Sequence, residues 1–235
     1  MIITVLGGTH GNEKTGIDLV SKIENEGLAI ETFLVNKPAI NERKRFVDTD
    51  INRTVNLPMG ENISESKALE ILKSTIRPTD VVIDFHNTTA KNNTCIIVID
   101  EPTELHIKLA GFFGVKNILY IPSNNSVLNL YDNLCNVRFA IEISNDVVDW
   151  FSIDYFYKKL EELEKLSLSE LDNKVPLTEV KIFEYVSGVK KDVKLNFSVN
   201  DIKNFEKIPN TNDLYFSFYG EVEYKDLLFQ TIKKR

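Results

Sequence analysis

Short apolar runs and amphipathic segments alternate along most of the chain. The run at residues 2–6 is rich in β-branched side chains and ends at Gly7 and Gly8, which is typical of a strand buried on both faces of a parallel sheet. From about Lys14 the apolar residues recur at helical spacing, and Gly27 supplies a helix stop. Further strands are predicted at residues 29–35, 81–85, 94–99, 117–121 and 137–143. Further helices are predicted at residues 64–76, 104–113 and 149–166.

This alternation predicts an α/β sheet with right-handed crossovers. The pattern changes after a polar, acidic stretch at residues 167–174. Alternating strands without a strong helical pattern then follow at residues 180–185, 193–197 and 214–219. We therefore predict an α/β domain over residues 1–173 and a small β-rich subdomain over residues 174–235.

Residues 38–40 are predicted to break the strand at residues 29–35, and a polar, irregular segment follows at residues 41–56. We interpret it as a long functional loop, although a charged segment is more often a solvated surface. Asn52 and Arg53 suit a carboxylate clamp, because a guanidinium offers a bidentate fork and an amide a further donor. Arg45 could stand where a carbonyl oxygen becomes an oxyanion.

Composition and charge narrow the class of protein. The 235 residues are 43% hydrophobic and 27% charged, which are ordinary values for a globular chain. Lys plus Arg number 28 against 35 Asp plus Glu, so the net charge of −7 argues against binding to a nucleic acid. No apolar run reaches the ~18 residues of a membrane span, and residues 2–6 are too short for a signal peptide. We expect a cytoplasmic protein with no membrane partner, in which Cys95 and Cys135 are reduced core residues.

Two of the three histidines stand directly after predicted strands. His10 follows the first strand and His86 follows the strand at residues 81–85, so both would lie where the carboxyl ends of parallel strands form a ligand crevice. Glu13 is three residues beyond His10, close enough in a turn to reach the same ion. A His, a Glu and a distant His with one open position are the arrangement of a hydrolytic zinc site. Position alone leaves open that the histidines are structural, because a lone His-x-x-Glu pattern is common by chance.

The remaining candidates each have an alternative. If His86 binds a metal, Asp84 could accept the N–H of its other ring nitrogen, although Asn87 or a backbone carbonyl could serve equally. Glu142 is a carboxylate inside an apolar strand, and burial raises the pKa of a carboxyl group unless it is paired, which suits a general base. An acid that faces solvent on the far side of the sheet is the alternative. His106, at a polar position of a predicted helix, is expected to be solvent-exposed.

Four blocks along the chain form a larger pattern. They are Gly7-Gly8-Thr9-His10-Gly11-Asn12-Glu13-x-Thr15-Gly16, Asp50-Ile51-Asn52-Arg53, Asp84-Phe85-His86-Asn87-Thr88-Thr89 and Ile141-Glu142-Ile143. Together they resemble the signature blocks of the aspartoacylase and succinylglutamate desuccinylase family, which is related to the zinc carboxypeptidases. The blocks occur in the family's order and cover roughly residues 2–145.

The resemblance implies a zinc-carboxypeptidase-like fold, a mixed, largely parallel sheet flanked by helices, with a small β-rich C-terminal subdomain. It implies zinc-dependent deacylation of a small-molecule N-acyl amino acid to a carboxylate and a free amino acid. The ligands of one zinc ion per chain would be His10, Glu13 and His86. The catalytic residues would be Glu142, which activates the metal-bound water, and Arg45, which polarises the scissile carbonyl. The substrate-binding residues would be Asn52, Arg53, Asn87 and Tyr224.

Some positions depart from the family's pattern. Aspartoacylases carry an arginine about ten residues before the catalytic glutamate, where this chain has Asp132. A lysine expected four residues after the pocket tyrosine is replaced by Leu228. Tyr131 or Arg138 could substitute for the missing cation after a loop shift, and a packed aromatic residue is the alternative for Tyr224. The departures leave open whether an acidic substrate side chain is recognised.

Three functions stay open on the sequence. The first is a zinc-dependent N-acyl amino acid deacylase. The second is a carboxypeptidase-like metallopeptidase, which a C-terminal subdomain that narrows the entrance would disfavour. The third is a non-enzymatic α/β binding module with structural histidines. A homodimer is common among soluble enzymes, but no residue demands one.

Overall fold

The computed structural model describes residues 1–54, 63–90, 95–122, 126–145, 151–177, 179–190, 204–209, 211, 214–217 and 227–234. The strands are β1 (Ile3–Gly7), β2 (Glu31–Leu34), β3 (Val81–Thr88), β4 (Cys95–Ile99), β5 (Asn117–Tyr120), β6 (Val137–Ser144), β7 (Lys181–Lys190), β8 (Leu214–Ser217) and β9 (Leu227–Lys234). The helices are α1 (Lys14–Glu26), α2 (Lys37–Glu42), α3 (Ile51–Thr54), α4 (Ser64–Thr75), α5 (Glu104–Phe112), α6 (Ile153–Glu164) and α7 (Leu168–Lys174). A 3-10 helix spans Val127–Tyr131.

The strands of the described residues form one sheet in the order β2-β1-β3-β6-β4-β5-β7-β9-β8. β2, β1, β3 and β6 are parallel to one another. β4 is antiparallel to β6, and β5 and β7 continue in parallel with β4. β9 and β8 add antiparallel strands at the edge. The predicted α/β class, with a mixed, largely parallel sheet flanked by helices, is confirmed.

The chain changes direction across the sheet at β1. From β1 it passes through α1 to β2 on one side, and it then returns through α2, α3 and α4 to β3 on the other side. The chain leaves β1 towards β2 and leaves β3 towards β4, which lies on the opposite side in the strand order. The connections at the carboxyl ends of β1 and β3 therefore diverge. Open α/β sheets form their ligand crevice at such a point, so the topology favours a site between the ends of β1 and β3.

Alternate residues of the central strands face opposite layers of the protein. In β3, Val81, Ile83 and Phe85 belong to one apolar cluster together with Phe156 of α6. Val82 belongs to a second cluster on the other face of the sheet. All of these side chains are fully buried. Burial on both faces explains the largely apolar run from which this strand is predicted.

Three short helices are not predicted by the apolar pattern. α2 lies where the predicted strand breaks, and it forms because the side chain of Asn36 accepts the N–H of Ala39 at 3.3 Å and Pro38 is tolerated in a first turn. α3 occupies part of the predicted loop. α7 occupies the polar, acidic stretch, where Ser167 and Glu170 form a capping box. Capping groups, rather than apolar periodicity, account for α2 and α7.

The C-terminal strands extend the same sheet. β7 pairs in parallel with β5, and β9 and β8 follow it. The predicted strand at residues 193–197 lies outside the described residues. The division into residues 1–173 and 174–235 stays a prediction, since the described sheet continues across that boundary.

His106 is buried, with 6% of its surface exposed, so the expectation that it faces solvent is wrong. Its Nδ1 accepts the N–H of Thr103 at 3.2 Å, which closes a capping box at the start of α5. Its Nε2 lies 3.0 Å from the carbonyl oxygen of Arg138 in β6. Burial lowers the pKa of His106. A neutral imidazole thus ties α5 to the sheet.

Both cysteines are free thiols. Cys95 is a core residue, whereas Cys135 is only half-buried. Among the described residues, no helix has the length and the apolar character needed to cross a membrane.

Candidate active site and metal centre

The turn between β1 and α1 carries His10 and Glu13. Two glycines allow close approach of this segment to its neighbours. A Cβ atom on Gly11 would lie 2.0 Å from a backbone carbon of α2, and one on Gly16 would lie 2.5 Å from the carbonyl oxygen of Phe85 in β3. A larger residue at either position requires a backbone shift, so these glycines help to fix where the turn lies.

His10, Glu13 and His86 converge in the crevice between β1 and β3. His86 lies within β3 rather than after it. Oε1 of Glu13 is 2.6 Å from Nδ1 of His10, and Oε2 is 2.7 Å from Nδ1 of His86. All three residues are buried, and one potential ligand atom from each lies within 4.8 Å of the others. The group could therefore hold one metal ion.

Two further carboxylates contact the outer nitrogens of these imidazoles. Oδ2 of Asp84 is 2.7 Å from Nε2 of His86, and the hydroxyl group of Thr9 donates to both oxygens of Asp84 at 3.0 and 3.1 Å. Oδ1 of Asp50 is 3.2 Å from Nε2 of His10. Residues two apart on a strand share a face, which is why Asp84 reaches His86. Carboxylates in such positions orient histidine ligands.

The electrostatics of the crevice favour positive charge. Burial by itself lowers the pKa of a histidine and raises that of a carboxyl group. Here the partners outweigh burial: Asp84 and Glu13 raise the pKa of His86, and Glu13 and Asp50 raise that of His10. The two imidazoles in turn hold the pKa of Glu13 well below its usual range. Carboxylates that stabilise charged imidazoles also suit a bound cation.

Glu142 stands on the strand next to His86. The two residues are directly opposite each other in the parallel pair of β3 and β6, and neighbouring strands lie only about 4.8 Å apart. Paired residues point to the same face, so Glu142 shares the face of the metal-ligand candidates. The alternative of an acid on the far side of the sheet is excluded. Glu142 is half-buried as a residue.

Arg45 reaches the crevice from the loop after α2. Its guanidinium is 3.5 Å from Oε1 of Glu13 and 3.4 Å from Oδ2 of Asp50. Its carbonyl oxygen accepts the N–H of Gly11 at 3.2 Å. The side chain keeps 22% of its surface exposed. It therefore adds a fixed positive charge that both the buried carboxylates and a ligand can contact.

Asn52 and Arg53 lie in α3, directly after Asp50. The side-chain oxygen of Asn52 accepts the N–H of Val127 at 2.9 Å. Arg53 is exposed. Burial would raise the pKa of Asp50, but its hydrogen bond with a histidine and the nearby arginines, including Arg53, keep it low. Asn52 and Arg53 are consecutive residues of α3, and their action as a carboxylate clamp stays a prediction.

Asn87 points away from this group. It occupies the face of β3 opposite to His86, where its side chain accepts the N–H of Thr15 at 2.8 Å and donates to the hydroxyl of Thr15 at 2.8 Å. Its NH2 group also lies 3.4 Å from the carbonyl oxygen of Ile143. These bonds fasten the start of α1 to β3 and β6. Contact between Asn87 and a substrate stays a prediction, since its described contacts are structural.

Arg138 is held by acids rather than directed to a ligand. Its guanidinium is 2.6 Å from Asp132 and also pairs with Asp100. Tyr131 is fully buried in the second apolar cluster. Substitution of either residue for the missing cation therefore requires a rearrangement. The two remaining positions of interest are Leu228, which lies in β9, and Tyr224, which lies outside the described residues.

Two acids make contacts that sequence patterning does not reveal. Asp50 contacts both His10 and Arg45, and its only signal is its place in the block that ends in Arg53. Glu65 is fully buried in the first turn of α4. It accepts backbone N–H groups of the loop between α2 and α3, residues 43–50, here called the Arg45 loop. Acids are common in first turns because they face the positive end of the helix dipole, so nothing in the sequence marks Glu65.

Known proteins are similar to this chain in sequence or in fold. A family model for the succinylglutamate desuccinylase/aspartoacylase catalytic domain matches residues 2–144. A probable aspartoacylase of Trichodesmium erythraeum is 31% identical over 192 residues, which are 73% of this chain and 64% of that protein. Murine aminoacylase 3 has a TM-score of 0.68 at 18% identity, over 100% of this chain and 95% of its own. Succinylglutamate desuccinylase of Chromobacterium violaceum has a TM-score of 0.70 at 16% identity, over 99% and 84%.

These similarities carry different weight. The chain spans less than two thirds of the length of the Trichodesmium relative. The two solved structures share few identical residues with this chain, so they support its fold rather than its chemistry. The match over residues 2–144 covers β1 to β6, the part of the chain that carries His10, Glu13, His86 and Glu142.

Proposed function

Because the chain belongs to the succinylglutamate desuccinylase/aspartoacylase family, we propose that it is a zinc-dependent hydrolase that cleaves the amide bond of an N-acyl amino acid. The products are a carboxylate and a free amino acid. The observation that carries the proposal is the buried group of His10, Glu13 and His86 with Glu142 on the adjacent strand. A relative that is 31% identical and named as a probable aspartoacylase supports the same class of substrate.

The donor set of the buried group fits zinc. Imidazole nitrogens and a carboxylate oxygen are common zinc ligands, whereas Mg²⁺ and Ca²⁺ prefer sites made of oxygen. Three protein ligands leave a position open, as in catalytic zinc sites. Bound zinc would supply a Lewis acid that polarises a carbonyl group and lowers the pKa of water towards about 7. Asp84 and Asp50 would hold the histidine rings in place from behind.

Glu142 moves the proton in the proposed reaction. Its carboxylate takes a proton from the attacking water molecule and passes it to the leaving nitrogen, so one group acts as base and then as acid. Its position opposite His86 on the same face of the sheet supports this role. Its half-burial is compatible with contact between this residue and a substrate.

Positive groups around the crevice bind and orient the substrate. Arg45 stabilises the negative charge that develops on the carbonyl oxygen, because its guanidinium is already fixed beside Glu13 and Asp50. Asn52 and Arg53 bind the carboxylate of the amino acid through an amide donor and a guanidinium. Fixed donors of this kind need little reorganisation during the reaction.

The test measures metal content and amine release in the same preparation of the whole chain. We expect about one zinc ion per chain, and release of free amino acid from N-acetyl or N-succinyl amino acids with acidic, neutral and basic side chains. Treatment with a chelator should abolish the release, and added zinc should restore it. Dipeptides with a free C-terminal carboxylate serve as the comparison substrates.

The other outcomes assign other functions. Release from dipeptides without release from N-acyl amino acids would indicate a carboxypeptidase-like peptidase. A chain without bound metal and without turnover of either class would contradict the proposal and favour a non-enzymatic binding module.

A further inference from the structure

Glu65 is a buried acid without a described ion pair. It lies in the first turn of α4, and none of its surface is exposed. An ionised carboxylate in such a place is costly unless other groups satisfy it. Its partners therefore show what the residue does.

The partners of Glu65 are consecutive backbone N–H groups of the loop after α2. Oε1 accepts the N–H of Val47 at 2.7 Å, and Oε2 accepts those of Asp48 and Thr49 at 3.2 and 3.3 Å. The side-chain amide of Asn36 also donates to Oε1, at 3.4 Å. Successive backbone N–H groups that converge in a turn form a binding concavity for an anion. Here the anion is a side chain of the protein itself.

A carboxylate of the loop in turn contacts the start of α4. Oδ2 of Asp48 accepts the N–H of Ser64 at 2.7 Å, at the start of the helix that carries Glu65. Two acids thus join the loop and the helix. Glu65 of the helix accepts N–H groups of the loop, and Asp48 of the loop accepts an N–H group of the helix. Asp48 is exposed and Glu65 is buried, so the buried acid is the one shielded from competition with water.

This junction lies in the middle of the segment that reaches the candidate active site. Arg45 is two residues before Val47, and Asp50 directly follows Thr49. Between α2 and α3 this segment contains no regular helix or strand. Its position therefore depends on contacts with the rest of the protein, among which the bonds to Glu65 hold three consecutive residues.

We propose that Glu65 is a positioning residue, whose carboxylate holds residues 45–53 so that Arg45 and Asp50 reach the crevice. This inference rests on the proposed function for its effect on catalysis. The buried carboxylate acts through the loop and touches none of His10, Glu13 or His86 among its described contacts. Loss of Glu65 therefore disturbs substrate binding and orientation while metal binding persists.

The decisive variant is Glu65→Gln, which keeps the size of the side chain but turns one acceptor into an NH2 donor that faces backbone N–H groups. Misplacement of binding groups by about 1 Å can cost on the order of 100-fold in rate. We expect kcat/KM to fall about 10- to 100-fold, with a raised KM, and zinc content to stay at the wild-type value. Glu65→Asp, which keeps the charge, should restore part of the loss.

Glu170→Gln is the matched control. Glu170 is also an acid in the first turn of a helix and accepts a backbone N–H, that of Ser167 at 3.0 Å, but it lies in α7. Its substitution should leave KM unchanged. Leu171→Ala, which opens the core under α7, controls for destabilisation alone. A lowered unfolding temperature for Glu65→Gln with wild-type KM and kcat would overturn the proposal.

Hydrogen exchange gives a readout that does not depend on activity. The amides of residues 47–49 should exchange faster in Glu65→Gln than in wild type, and Glu170→Gln should leave them unchanged. Unchanged exchange of these amides would overturn the proposal. If the wild-type chain turned over no N-acyl amino acid, the proposed function would fail while this measurement still decided the role of Glu65.

Asp48→Ala supplies a second route should Glu65→Gln fail to fold. Asp48 is exposed, and its removal breaks the same junction from the side of the loop. We expect a raised KM and faster exchange at residues 47–49. If Asp48→Ala leaves both at their wild-type values, the proposal is wrong.

Discussion

The two faces of β3 are both buried but are stabilised differently. On one face Ile83 and Phe85 pack within an apolar cluster. On the other face Asp84 and His86 bond to each other and to Thr9 and Glu13. Burial of apolar surface on the first face stabilises the folded state. The second requires a partner for each charged atom, because an unpaired buried charge is strongly destabilising.

Burial therefore does not distinguish the core from the candidate active site in this protein; the kind of partner does. Changes on the apolar face should reduce the free energy of unfolding and leave the chemistry intact. Changes on the polar face should alter the chemistry, and they should also destabilise the protein where they leave a buried charge without its partner. Substitutions on either side test this difference directly.

Glu142→Gln should have the largest effect on the reaction. Loss of a positioned acid–base group lowers kcat by a factor on the order of 10²–10⁴. Zinc content and the unfolding temperature should stay close to wild type, because Glu142 is not one of the three metal-ligand candidates. Glu70→Gln, an exposed acid of α4, is the control. Near-normal turnover in Glu142→Gln would show that another group moves the proton.

Ile83→Ala tests the apolar face of β3, where we expect a loss of stability without a change in the chemistry. Ile83 is fully buried one residue before Asp84, and truncation of such a side chain costs about 2–5 kcal/mol of the free energy of unfolding. Below the unfolding transition, zinc content and KM should match wild type. Ile83→Val, expected to cost about 0.5–1.5 kcal/mol, gives the smaller step of the series. Chemical denaturation and metal analysis test this, and metal loss in the folded variants would contradict the independence of the two faces.

Arg138→Gln should have the smallest effect on the reaction. Arg138 lies four residues before Glu142 on β6, but Asp132 and Asp100 hold its guanidinium. The ratio of kcat/KM values for N-acetyl-aspartate and a neutral N-acetyl amino acid should change by less than about threefold, or under about 0.7 kcal/mol, because the guanidinium contacts Asp132 and Asp100. A selective loss of activity towards the acidic substrate would instead identify Arg138 as the missing cation.

The central strands could be predicted because burial on both faces makes them mostly apolar. β3 is the clearest case, although the structure extends it past residues 81–85 to Thr88, where pairing with β6 continues through polar residues. α7 could not be predicted from apolar periodicity, since Leu171 is its only buried residue among those described and its start depends on a capping box. His106 was open to misassignment for a related reason: its polar side chain is buried by bonds to Thr103 and Arg138.

The sequence by itself determined the types of residue that can bind a metal or move a proton, because these properties belong to the side chains, and it determined the order of the elements that carry them. Only the tertiary structure decided which of these residues meet. It put Glu142 opposite His86, turned Asn87 to the other face and set Glu65 against the Arg45 loop. The reason is that contacts between distant positions depend on strand order and register, and spacing along the chain specifies neither.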